Sequence, residues 1–334
     1  MKSFRTLLLP LAVLAVLVSC KKEETEKTYM DGTLSVVHNM PRYVTAGESY
    51  TFSASGITAP NGTDVGYCFK NPVTGKYDTT AVYKYTVPDT LGSFSILCTA
   101  YSVSSADIYY SSTKSVVYTS VSDAYSGGSL AGIPMDLDLG SAELYSRNYA
   151  TVPHGGKEWI CSNLSRIDRN KDGKETFGHS YLDCPAMQNI LGSYYTWEEA
   201  QAACPEGWRL PSEEDWVALL KTCGAPAELE PMQDSPSGAG ALMVKATFNG
   251  TTLWEYFRGV TITGSSRLNV LPAGYATVAE GAYSFSGFGS YAAFWTSSDL
   301  EDKGVYRYIY QENDNVYVGL ADKNTFAASV RCVR

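Results

Sequence analysis

Apolar and polar residues alternate with a period of two at several places in the first third of the chain. Tyr50, Phe52 and Ala54 alternate with Thr51, Ser53 and Ser55. Tyr83, Tyr85 and Val87 alternate with Val82, Lys84 and Thr86, and Phe94, Ile96, Cys98 and Ala100 with Ser95, Leu97 and Thr99. Successive side chains of a strand point to opposite faces, so each run predicts a half-buried strand. The turn-forming stretches Ala46-Gly47-Glu48, Pro60-Asn61-Gly62, Pro72-Val73-Thr74-Gly75 and Pro88-Asp89-Thr90-Leu91-Gly92 separate them. Short strands at this spacing over residues 31–120 predict a β-sandwich.

The pattern changes after a Ser- and Gly-rich linker at 121–136, which contains Ser126-Gly127-Gly128-Ser129. Thr196 followed by Glu199 forms a capping box for a helix from Trp197 to Cys204, stopped by Pro205. Ser212 and Asp215 open a second helix, in which Trp216, Val217, Leu219, Leu220 and Cys223 repeat at helical spacing before Gly224 ends it. Gly-rich short strands run from there to the C-terminus. The expected fold class is an all-β N-terminal sandwich followed by an α+β C-terminal domain over 137–334.

The N-terminus reads as an address. Lys2 and Arg5 precede an apolar run from Leu7 to Val18, too short for a membrane span, so residues 1–19 are expected to be a signal peptide. The run ends in Leu17-Val18-Ser19-Cys20, which resembles the lipobox of bacterial lipoproteins. The resemblance implies that Cys20 is acylated and anchors the chain, each buried methylene contributing about 0.8 kcal/mol. The alternative is an ordinary secretory signal beside a stray cysteine. Residues 20–30 form a charged tether, and Lys22-Glu23-Glu24 within it resembles the export signal of Bacteroidetes surface lipoproteins. A solvated linker is the other reading of that stretch. The expected location is the outer membrane, lipid-anchored, at the cell surface.

Composition narrows the partners. The formal net charge is −9, and loss of the leader would remove two of its cations. With no basic stripe, nucleic acid is a poor partner. The 3 histidines leave little room for histidine-based zinc sites or a Ser-His-Asp relay, and 25 tyrosines against 11 Phe and 6 Trp suit β-rich surfaces. An exported chain meets oxidising conditions, where disulfides persist. With Cys20 assigned to lipid, the remaining cysteines are odd in number, so at least one thiol stays unpaired within the chain. Cys68 and Cys98 are the only cysteines of the sandwich and are expected to bridge, although Cys68 alternates against Tyr67 and Phe69.

Several segments in the second region carry a family resemblance. They are Trp159-Ile160-Cys161-Ser162-Asn163-Leu164, Tyr194 to Ala200, Ala203 to Ser212, Leu271-Pro272-Ala273-Gly274-Tyr275, Phe294-Trp295-Thr296-Ser297-Ser298 and Ser329 to Arg334. In this order they resemble the Fibrobacter succinogenes major paralogous domain. The stretch Gly92 to Ala100 resembles a late strand of an immunoglobulin- or PKD-like domain. The former family is in turn similar to C-type-lectin-like domains and formylglycine-generating enzymes. That similarity implies two helices, one twisted antiparallel sheet, and first and last strands side by side. It also implies a bridge between Cys204 and Cys332, whose long loop would contribute about 4–5 kcal/mol in the chain-entropy model. Of Cys161, Cys184 and Cys223, the expected pair is Cys161 with Cys184.

The departures from the enzymes and lectins matter equally. No reactive cysteine pair stands near the C-terminus, and no G-x-S-x-G or H-E-x-x-H motif is present. The chain is therefore expected not to be an enzyme, with a relative of formylglycine-generating enzymes as the disfavoured alternative. Glu230-Pro231-Met232 and Trp295-Thr296-Ser297 lack the amides through which lectins bridge calcium to sugar. One segment, Asp168-Arg169-Asn170-Lys171-Asp172-Gly173-Lys174, offers calcium ligands at Asp168, Asn170, Asp172 and the Lys174 carbonyl, with His179 where a Glu belongs. Its other reading is an Asx-rich hairpin tip. No cofactor is required, and structural Ca2+ is the one candidate. Tyr283, Phe285, Phe288, Tyr291 and Trp295 are expected to form a stacking platform for sugar rings. The function expected is a surface lipoprotein that binds a glycan or a cell-envelope protein, with an assembly subunit of a surface fibre as the alternative.

Overall fold

The computed structural model describes residues 28–60, 64–80, 82–103, 108–109, 113–122, 128–133, 139–254 and 260–334. The leader, Cys20 and most of the charged tether lie outside the described residues, as does much of the 121–136 linker. Among the described residues no helix is long and apolar enough to cross a membrane.

In the first region the alternation becomes two sheets. Asp31–His38, Ser49–Thr58 and Val82–Thr86 form an antiparallel sheet with Ser49–Thr58 in the middle. The other has five strands in the order Tyr43–Thr45, Thr113–Val121, Gly92–Ser102, Val65–Lys70, Tyr77–Asp78. Only Tyr43–Thr45 runs parallel to its neighbour. Phe52, Tyr83 and Tyr85 from one sheet meet Phe69, Ile96, Cys98 and Tyr118 from the other in a single apolar cluster. The Phe69 and Tyr83 rings stack across it at 5.2 Å.

Residues 139–334 correct the expected fold class. About 47% of the described residues are extended and only about 11% helical, spread over several small sheets. An all-β sandwich suits the first region, but among the described residues no clear α+β, C-type-lectin-like domain with one twisted sheet follows it. Among the described residues, the second region has four short α-helices: α1 (Pro185–Leu191), α2 (Trp197–Gln201), α3 (Glu213–Thr222) and α4 (Ala239–Leu242). Both predicted capping boxes form, at Thr196 with Glu199 and at Ser212 with Asp215. The helix opened by Thr196 nonetheless ends at Gln201, before Cys204. A good cap satisfies the first amides of a helix but does not lengthen it, and α2 has only Ala200 fully buried along its length.

Turns divide the strands there among several small sheets. Gly140–Leu144, Arg147–His154 and Lys157–Ile160 make one meander, and Tyr291–Leu300, Lys303–Tyr310 and Tyr317–Asp322 another. Tyr275–Ala279 pairs with Ala282–Ser286 on one side and Phe326–Ala327 on the other. The C-terminal segment ties these pieces together. Ile160 donates to the Cys332 carbonyl, Leu164 to Val330, Trp295 to Ser329, and Arg209 exchanges bonds with Val333. At its end Cys332 is bonded to Cys204 (S–S 2.09 Å, Cα–Cα 5.8 Å).

The other two expected bridges are absent, for geometric reasons. Cys68 faces Thr99 across its ladder while Cys98 faces Phe69, so the two thiols project from opposite faces of the sheet. Cys98 and Phe69 own the core face. Cys161 and Cys184 lie in separate apolar clusters, one with Trp159 and Trp216, the other with Met187 and Tyr194. Burial pushes the Cys98 and Cys161 thiols up to about 11, which keeps both protonated and inert.

The two regions touch. Tyr43 of the sandwich meets the rings of Tyr181 and Phe248 at 5.9 and 6.2 Å. Val121 and Leu130 join the cluster around Met187, and Asn249 donates to the Ser120 carbonyl at 3.0 Å.

Candidate functional site

The strand Lys303–Tyr310 reads Val305, Arg307, Ile309 on one face and Tyr306, Tyr308, Tyr310 on the other. The first set is buried. Arg307 is 0% exposed and holds Glu213, 2% exposed, through Nε to Oε1 at 2.9 Å and Nη2 to Oε2 at 2.5 Å. Its remaining nitrogen donates to the Gln233 carbonyl at 2.7 Å. A charge removed from water needs such complete pairing. The pair fixes the sheet against the start of α3, and so fixes where the opposite, tyrosine face points.

Cross-strand register extends that face. Tyr310 stands opposite Tyr291, Tyr308 opposite Tyr317, and Tyr306 opposite Trp295 on one side and Gly319 on the other. The Tyr291 and Tyr308 rings stack at 5.1 Å, and those of Tyr308 and Tyr317 at 4.9 Å. Gly319 is required here, because a Cβ at that position would come within 2.2 Å of the Tyr306 ring. At one end the face is sealed: Trp295 is fully buried, with its indole N–H on the Tyr195 carbonyl at 2.8 Å. At the other end it opens into a groove of about 480 Å³, lined by Tyr275, Gly287, Ser290, Tyr291, Tyr306, Tyr310 and Phe326. Tyr275 meets Tyr291 edge-on at 5.2 Å and stacks on Phe326 at 5.3 Å.

Every shifted hydroxyl in the groove stays neutral. Burial raises Tyr291 and Tyr306 above the usual phenol range, and their mutual hydrogen bond raises Tyr291 further. Tyr310 is raised by the Glu312 carboxylate beside it. The groove thus presents aromatic faces together with neutral hydroxyl donors and acceptors. That combination suits a ligand with an apolar face and a polar rim.

Of the five aromatics predicted as a platform, only Tyr291 lines this groove. Trp295 is core. Phe285 and Phe288 pack on Tyr181, with ring centroids 5.2 and 5.4 Å away. Tyr283 stacks on His179 at 3.7 Å. The period-two tyrosines at 306, 308 and 310 were the missed signal. Tyr275, Tyr310 and Phe326 come together only through the fold.

The candidate calcium loop is the tip of a hairpin between Asp168–Arg169 and Glu175–Phe177. Its oxygens have other partners. Asn170 Oδ1 accepts from the amides of Asp172 and Lys174, the Lys174 carbonyl accepts from Asn170 N–H, and Asp168 pairs with Arg166 at 2.9 Å. This is an Asx-turn arrangement at the hairpin tip.

The family motifs, by contrast, map onto the joints of the fold. Trp159 packs edge-on against Trp216 at 5.3 Å. Asn163 donates to the Leu191 carbonyl and Ser329 Oγ and accepts from Arg331 Nε. Arg209 pairs with Asp215 at 2.5 Å, and the Arg334 guanidinium lies 4.6 Å from the Trp208 ring. Most of the motif residues therefore build the scaffold, and one of them, Tyr275, also lines the groove. Residues 152–334 match the family model described as the Fibrobacter succinogenes major domain. No curated protein matches the chain.

Proposed function

From a chain that belongs, through residues 152–334, to the Fibrobacter succinogenes major domain family, we propose a non-catalytic binding protein that holds glycan through its tyrosine groove. In this reading residues 1–19 are a lipoprotein leader and Cys20 carries the lipid. Residues 20–30 are the tether, 31–120 an immunoglobulin- or PKD-like spacer, 121–136 a linker and 137–334 the binding head. The protein sits on the outer membrane and faces outward.

The observation that carries the proposal is the groove itself. Its side chains are Tyr275, Tyr291, Tyr306, Tyr310, Phe326 and Ser290. Aromatic faces take the C–H face of a sugar ring, and phenol hydroxyls take its rim. Support for the anchor comes from the Leu17-Val18-Ser19-Cys20 sequence alone.

The test is a glycan array with a soluble form lacking Cys20, followed by titration of any hit against Tyr291→Ala and Tyr306→Ala. We expect binding that falls at least about tenfold in each variant, taking a sugar face on an aromatic ring to contribute on the scale of a stacked nucleobase, roughly 1–3 kcal/mol. An array without hits, together with unchanged cell adhesion after deletion of the gene, overturns the proposal.

A further inference from the structure

We propose that Glu175, His179 and Asp183 form a binding site for one zinc-class divalent ion at the base of the 168–177 hairpin. The ligand-type atoms of these three residues all lie within 4.8 Å of one another. They are drawn together by backbone that is not helical. Glu175 opens the second strand of the hairpin, Gly178 turns the chain at φ 65 just after that strand, and a short 3-10 turn at Tyr181–Asp183 brings Asp183 back at φ 53.

The closest pair is already near ligand spacing. His179 Nδ1 lies 3.7 Å from Glu175 Oε2. Two ligands at zinc bond lengths on a tetrahedral ion stand about 3.4 Å apart. Asp183 is the exposed member, so it can swing in while the other two, at 14% and 11% side-chain exposure, stay fixed.

Outer contacts are in place as well. Glu175 Oε1 accepts from Ser180 Oγ at 2.8 Å and Arg169 Nη2 at 2.9 Å, and Oε2 accepts from Ser180 N–H at 2.9 Å. The His179 ring is stacked on Tyr283, whose hydroxyl is kept neutral by burial and by the nearby Glu199 carboxylate. Partners of this kind orient metal ligands and hold their affinity. Facing His179 are the carboxylates of Glu199, Glu175 and Asp183 and the cations of Lys174 and, through Glu175, Arg169. Negative charge predominates, which favours a cation. One imidazole with two carboxylates suits zinc over calcium, which takes six or more oxygens.

The inference is independent of the groove, because none of the three residues lines it. The experiment is calorimetric titration of the full-length chain, freed of metal by chelator, with Zn2+ and separately with Ca2+. We expect one Zn2+ per chain, with affinity lowered at least about tenfold by His179→Ala and by Asp183→Asn. Asp183→Asn changes an exposed side chain without altering its shape, so a loss there cannot be unfolding. Tyr283→Leu weakens binding by a smaller factor, and Asp172→Asn at the hairpin tip leaves it unchanged. Co2+ bound in place of zinc should show visible bands that His179→Ala abolishes. Absence of saturable Zn2+ binding, or equal Zn2+ affinity in the His179 and Asp183 variants, overturns the proposal. So does Ca2+ binding that Asp172→Asn removes.

Discussion

In the sandwich, Phe52, Phe69, Tyr83, Tyr85 and Tyr118 fill one interior between two sheets, and no covalent bond joins the strands. In residues 139–334 the sheets have two or three strands each and pack through several separate apolar clusters, to which the Cys204–Cys332 bond, the buried Glu213–Arg307 pair and the Asn163–Arg331 contact add particular ties. The difference follows from how continuous the sheets are. Gly92–Ser102 and Thr113–Val121 pair over eight residues, enough to bury a continuous face. In the later region, pairings such as Thr247–Phe248 with Thr251–Thr252 cover two residues each and cannot bury a face alone. Such pieces need cross-links of higher value per contact. An unbroken alternation yields one continuous core, whereas an interrupted one yields several apolar clusters joined in addition by particular bonds.

The largest test of that contrast is Cys332→Ser. The bond closes a loop with a sequence separation of 128. In the chain-entropy model its loss costs about 5 kcal/mol. Hydrogen exchange should then show faster opening of the amides at 159–164 and 328–333, which bond to the C-terminal segment. Amides of the strands holding Phe52, Tyr85 and Tyr118 should change little. Equal acceleration in both regions would mean one cooperative unit, joined through Tyr43 and Val121, and would remove the contrast.

A smaller effect is expected from Arg307→Met. It leaves the Glu213 carboxylate buried at 2% exposure without its partner. Breaking a buried pair from one side costs about 4 kcal/mol, whereas replacing both charges by apolar groups is often neutral. Glu213→Leu combined with Arg307→Met should therefore recover much of the loss. Urea denaturation of the two variants decides it. A double variant no more stable than the single one would show that the pair contributes through its bonds to Met232 and Gln233 rather than through mutual charge.

How much was legible in advance also divides along this line. The sandwich strands follow from alternation because burial tracks period: Val82–Thr86 has its two tyrosines buried and the residues between them exposed. Both capping boxes were readable, since a cap is a local hydrogen bond between residues three apart. The Cys204–Cys332 bond was legible through family resemblance. The Cys68–Cys98 mismatch depended on register, and a shift of one residue moves a thiol to the other face. The groove was legible only in part. Tyr306, Tyr308 and Tyr310 announce a tyrosine face, but Tyr275 and Phe326 reach it through a strand pairing between residues far apart in sequence. Glu175 and His179 stand four apart in the chain, and nothing in that spacing announces a cluster without the turns at Gly178 and Leu182.

The smallest effect belongs to the sandwich. Tyr85 and Tyr118 share a hydrogen bond between hydroxyls at 2.5 Å inside the core, one residue from each sheet. Burial raises both phenols, so neither ionises at ordinary pH and the bond is neutral. A neutral pair contributes about 1 kcal/mol net, because water would satisfy both groups in the unfolded chain. Tyr118→Phe deletes one partner and strands the Tyr85 hydroxyl away from solvent, so it should cost slightly more than that. Tyr85→Phe combined with Tyr118→Phe removes both and leaves the ring packing at 5.8 Å in place. The double variant should therefore be no less stable than the single one. If it loses about twice as much, the sandwich also depends on a particular bond, and aromatic area alone does not hold its two sheets together.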